Sequence, residues 1–77
     1  MKKPIFSEGQ RVFVYDWNTY PKRVRMVYVE SATRHEGEIF YRLLDWRGWW
    51  RAEYPQKLVS HTEQGAVVNY SLSYLFR

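Results

Sequence analysis

Over most of this chain apolar side chains recur at every second position, and helical spacing is scarce. Period two is the signature of a strand, because successive side chains on extended backbone point to opposite faces. The pattern predicts an antiparallel β domain built from short strands. Gln10 to Asp16 reads as the first, with Val12 and Val14 on one face and Phe13 and Tyr15 on the other. Asp16 to Pro21 reads as a loop, since Asn and Pro favour turns. Lys22 to Ser31 is the second strand, and Arg34 to Gly37 is a turn. Glu38 to Asp45 and Trp49 to Tyr54 form a hairpin around Trp46-Arg47-Gly48. Pro55-Gln56-Lys57 breaks the sheet in a single 3₁₀ turn, and Leu58 to His61 is a candidate fifth strand.

The last segment is read as a strand. Val68, Tyr70, Leu72, Tyr74 and Phe76 alternate with Asn69, Ser71, Ser73 and Leu75, and Tyr, Phe and Val are β-prone. A helix is the alternative, because Val68, Leu72, Leu75 and Phe76 also sit at helical spacing. Residues 62–77 are thus expected to be the closing strand or an extension. As a strand, this stripe offers a homodimer contact; the chain is expected to be a monomer or such a dimer.

The 77 residues fit one domain with a modest core. Cysteine is absent, which rules out a disulfide and a thiolate metal site and fits a cytoplasmic protein. Packing must rest on apolar and aromatic side chains, the latter 19% of the chain. No apolar run reaches the ~20 residues that span a bilayer, so no membrane partner is expected. Met1-Lys2-Lys3 is not followed by the apolar stretch of a signal peptide.

Binding is the expected function. Asp45-Trp46-Arg47-Gly48-Trp49-Trp50-Arg51 holds three of the four tryptophans. A domain this small cannot bury three indoles in one place, and Trp49 and Trp50 point to opposite faces of a strand. The candidate ligand-binding residues are Trp17, Tyr20, Trp46, Trp49 and Trp50. Lys22, Arg23, Arg25, Arg47 and Arg51 are the candidate basic rim. Rings supply apolar area and cation–π contacts, and guanidinium groups hydrogen-bond an acidic partner. The net charge of +4 permits such a partner without forming a dense basic patch.

Catalysis, cofactors and metals are not expected. His35 and His61 are isolated, the acidic residues form no recognisable pair, and the serines lack a nucleophile elbow. A protein or peptide partner is the first reading, and a nucleic-acid-binding small barrel is the second. The third is a small regulator or inhibitor of a larger complex, of the kind phages and mobile elements carry.

Residues 6–59 resemble the chromo-barrel and Tudor-like branch of SH3-like barrels. Phe6-Ser7-Glu8-Gly9-Gln10-Arg11-Val12 is similar to that family's first strand, and Tyr20-Pro21-Lys22-Arg23-Val24 to the start of its second. Phe40 to Trp46 followed by Trp50 resembles its hairpin, with Pro55 and Val59 near the last barrel strand. The resemblance implies an all-β antiparallel barrel of five to six strands. It also implies an aromatic cage for a methylated lysine at Tyr20, Trp46 and Trp50, with Trp17 nearby. Leu43 stands in place of a usual cage tyrosine and Asp45 in place of a usual glycine. Gly48-Trp49-Trp50-Arg51-Ala52 is also similar to the Trp-Trp strand of peptide-binding SH3 domains, without their acidic loop or Pro-x-x-Tyr stretch.

Overall fold

The computed structural model describes residues 3–16 and 22–75. It contains four antiparallel strands in the order β1-β2-β3-β4, followed by a 3₁₀ turn and a C-terminal helix. The strands are β1 (Arg11–Asp16), β2 (Arg23–His35), β3 (Glu38–Leu44) and β4 (Arg51–Pro55). The 3₁₀ turn is Gln56–Leu58, and α1 is Glu63–Leu75.

The alternation in the sequence sets the core. Val12 and Val14 of β1, Val27 and Val29 of β2, Ile39, Tyr41 and Leu43 of β3 and Tyr54 of β4 form one buried cluster with Phe6, Leu58 and Val59. The β2–β3 connection is a two-residue turn. Glu36 and Gly37 both take positive φ, +52° and +79°, a combination that follows the right-handed twist of the strands it joins. The second strand therefore runs to His35, four residues beyond the expected Ser31. A register shift between Val29 and Ser31 bends β2, so that its first half pairs with β1 and its second half with β3.

The buried Tyr41 hydroxyl anchors the chain before β1. It accepts hydrogen bonds from the Ile5 amide at 2.9 Å and the Phe6 amide at 3.2 Å, and donates to Gln56 Oε1. Beyond the 3₁₀ turn, Ser60 exchanges two backbone bonds with Phe13, on the side of β1 away from β2. This isolated bridge stands where the sequence predicts a fifth strand.

Two expectations are corrected. The described residues form four strands in an unclosed sheet, not five or six. The segment read as a closing strand, and as the strand of the expected dimer contact, is helical over Glu63–Leu75. Local chemistry starts that helix. Thr62 caps it, its Oγ1 accepting from the Gly65 amide at 3.0 Å, and Ser60 Oγ accepts from the Thr62 amide at 3.2 Å. Tertiary packing then outweighs β propensity. Ala66 is fully buried, Asn69 donates to the Val59 carbonyl, and Tyr70 stacks on Tyr15 with ring centroids 4.4 Å apart. The helix covers the outer face of β1 and β2, where Phe13 and Tyr15 are half-buried. Its apolar Val67, Val68 and Leu72 remain exposed. No helix among the described residues is long and apolar enough to cross a membrane.

Candidate functional site

The β3–β4 turn is held by Asp45. Its carbonyl accepts from the Gly48 amide at 3.0 Å, and its own amide donates to the Trp50 carbonyl at 3.1 Å. Its carboxylate Oδ1 accepts from the amides of Trp49 at 2.9 Å and Trp50 at 3.2 Å. Gly48 closes the reversal at a φ of +75°, a region in which a Cβ is strained. Side-chain capping by Asp at the head of a turn is a known use of its short acceptor arm. Here it holds the backbone on which three indoles are mounted.

The turn divides those indoles by facing. Trp46 and Trp49 project into solvent, 71% and 82% exposed. Trp50 turns inward and packs against the core beside Ala52, tilted over Tyr54 at 6.3 Å. Arg47 serves both outer rings, its guanidinium lying 4.7 Å from the Trp46 centroid and 5.5 Å from that of Trp49. Such contacts contribute about 0.5–1 kcal/mol at exposed sites, enough to bias the ring positions without fixing them. Arg51 folds back on the turn, its Nε donating to the Gly48 carbonyl at 3.3 Å.

The first half of β2 lies beside this turn. Arg23, Val24, Arg25 and Met26 line an open cleft of about 250 Å³ together with Asp45 and Trp46. Lys22 and Arg23 are exposed at the end of the strand. Arg25 is engaged within the fold. Its Nε pairs with the buried Asp16 carboxylate at 2.5 Å, and its guanidinium sits 5.1 Å from the Trp50 centroid. Tyr54, nearby, donates its hydroxyl to the Tyr15 carbonyl. Burial, with the Asp16 charge adding and Arg25 opposing, pushes its phenol from 10.0 up to about 12.

The candidate residues thus separate into groups. Trp46, Trp49, Arg47 and Arg51 share one turn, and Arg23 lines the cleft next to it, with Lys22 adjacent in sequence. Trp50 and Arg25 close the end of the core. Trp17 and Tyr20 lie outside the described residues. Of the implied cage positions that are described, Trp46 and Trp50 each have one of the chain's own guanidinium groups over the ring. Sequence reasoning missed Asp45 as the organiser of the turn. The signal was there: an Asp three residues before a Gly, at the head of a hairpin loop.

Comparison of the chain with protein-family models, with curated proteins and with solved structures finds no match.

Proposed function

We propose that this chain is a non-enzymatic interaction module that binds an acidic protein or peptide through Trp46, Trp49 and the guanidinium groups beside them. One observation carries the reading: two indoles stand in solvent on a turn whose backbone is tied down by Asp45. Burying a large apolar side chain contributes on the order of 2–3 kcal/mol. A 77-residue chain near the lower limit of independent stability leaves both rings uncovered. Trp and Arg are also the residue types that dominate binding energy at protein interfaces.

A protein partner is favoured over a nucleic acid by the charges around the turn. Arg25 is matched by Asp16, and Asp45 places a carboxylate in the cleft itself. That mixture suits a polypeptide better than a phosphate backbone, which calls for an uninterrupted basic track. The finer architecture we propose is an SH3-like small barrel. The Phe13–Ser60 bridge supports it, because it sets the segment after the 3₁₀ turn against the free side of β1.

An array of extended peptides graded from basic to acidic tests the reading, with the Trp46→Ala/Trp49→Ala double variant as comparison. The wild type is expected to retain acidic peptides, and the variant to lose them tenfold or more while melting within a few degrees of the parent. Equal binding by the variant, or unfolding in step with lost binding, refutes it. Tighter, steeply salt-dependent binding to labelled oligonucleotides would put nucleic acid in the partner's place.

A further inference from the structure

The two halves of β2 have different neighbours. Arg23 to Tyr28 pair with β1, and Tyr28 to His35 pair with β3. Among the described residues no strand pairs with the β3 side of residues 23–27, since β3 begins its pairing with β2 at Tyr28↔Leu44. The phase of the ladder says which groups are left over. Val29 bonds toward β1, donating to the Gln10 carbonyl and accepting from the Gly9 amide. In an antiparallel pair the hydrogen-bonding residues alternate. Val27, Arg25 and Arg23 then also bond toward β1, and Val24 and Met26 turn their N–H and C=O groups the other way. Among the described residues nothing bonds to these groups on that side. They face the cleft lined by Asp45 and Trp46.

We infer that this half of β2 is a docking edge, at which an extended acidic peptide adds as a further strand. The inference rests on the proposed function and specifies how the partner is held. Five residues of extended chain span about 17 Å at ~3.3 Å each, room for two main-chain contacts at Val24 and two at Met26, all on the one open side. The side chains of the edge alternate in chemistry. Arg23 lies exposed on one face, while Val24 and the 44% exposed Met26 lie on the other. Cross-strand pairing then selects a segment alternating acidic with apolar residues: carboxylates opposite Arg23, apolar side chains against Val24 and Met26. Trp46, in the same cleft, closes over the added strand. The basic charge beside the edge, with Lys22 and Arg23 both exposed, supplies the complementarity that commits the site to an acidic occupant.

The probe is an acetylated eight-residue peptide alternating Glu and Val, with a depsipeptide of the same side chains but ester links as control. Hydrogen exchange of the Val24 and Met26 amides is followed by NMR. The peptide is expected to slow both amides tenfold or more, and the depsipeptide to bind at least tenfold more weakly. Met26→Pro removes one outward N–H without touching the β1 ladder. It is expected to weaken the peptide tenfold and to melt near the parent; should it fail to fold, the depsipeptide still decides. Equal binding of peptide and depsipeptide, unprotected Val24 and Met26 amides, or no binding overturns the docking edge. Protection without peptide, accompanied by dimers in sedimentation, overturns it in favour of a second copy. If the array peptides need Trp46 and Trp49 yet ignore Met26→Pro, the broader reading stands and the edge falls.

Discussion

Arg25 lies with its guanidinium 5.1 Å from the centroid of Trp50 while its Nε holds the carboxylate of Asp16. One side chain thus covers an indole at the end of the core and neutralises an acid that is 1% exposed. Removing one partner of a buried pair is costly because the charge left behind stays desolvated. Arg25→Ala is expected to destabilise the fold by about 3 kcal/mol, read by urea denaturation. Arg25→Lys should recover only part of the loss, because an ammonium cannot both stack on the ring and present a planar N–H to the acid. Full stability in Arg25→Ala would show that the pair is ornamental.

Asp45 is expected to separate acceptor chemistry from charge. Asp45→Asn keeps a carbonyl oxygen for the Trp49 and Trp50 amides and should melt close to the wild type. Asp45→Ala leaves both amides to water and should cost about 1 kcal/mol. Its indoles should also sample more orientations, seen as a drop in tryptophan fluorescence anisotropy. Identical melting of the two variants would contradict the capping role.

Tyr54 gives the fold an alkaline limit. Its phenol titrates near 10.0 when exposed and is pushed to about 12 in the folded chain. Between those values the unfolded chain has released the proton and the folded chain retains it. The contribution is fully present below pH about 10 and is lost as the pH rises toward about 12. Denaturant titrations from pH 9 to 12 should show stability falling across that window. Tyr54→Phe should flatten this part of the decline, at the cost of the hydrogen bond to the Tyr15 carbonyl. A variant with the wild-type slope would exclude Tyr54 as its source.

Gly65 reverses the usual rule for glycine in a helix. Replacement by Ala ordinarily adds about 1 kcal/mol through backbone entropy. Here the added Cβ would come within 2.1 Å of Ser60 Oγ and 2.8 Å of Thr62 Oγ1, the two oxygens that organise the helix start. Gly65→Ala is therefore expected to lower the melting temperature by several degrees. A rise would mean that the Ser60 hydroxyl turns away at no cost.

The sheet was legible because alternation is a direct image of a two-sided ribbon. Val12 and Val14 share one face in the alternation, and that face is the buried one, joined by Tyr41, Leu43 and Tyr54. The helix was not, for a reason visible in its own residues. Val68, Tyr70 and Leu72 alternate, but on a helix this pattern puts Tyr70 inward against Tyr15 and leaves Val68 and Leu72 outside. Both are apolar yet about half exposed, 47% and 50%, so they mislead both spacing and propensity. Two signals pointed the other way. Thr62 followed by Glu63 is a helix start, and β1 is apolar on both faces, which demands a cover on each. Of the site, the exposed indoles and neighbouring arginines were readable. The inward role of Arg25 was not, because it depends on the register that sets Arg25 against Val14 and within reach of Asp16.

The covering of β1 has a consequence for how the protein is made. Phe13 and Tyr15 leave the ribosome some fifty residues before their partners Ser60 and Tyr70. Until then the nascent chain carries a wet aromatic ribbon with one flank unbonded, the kind of surface chaperones seize. A message cut short before Thr62 would yield a polypeptide that cannot dry that ribbon, prone to clumping instead of folding.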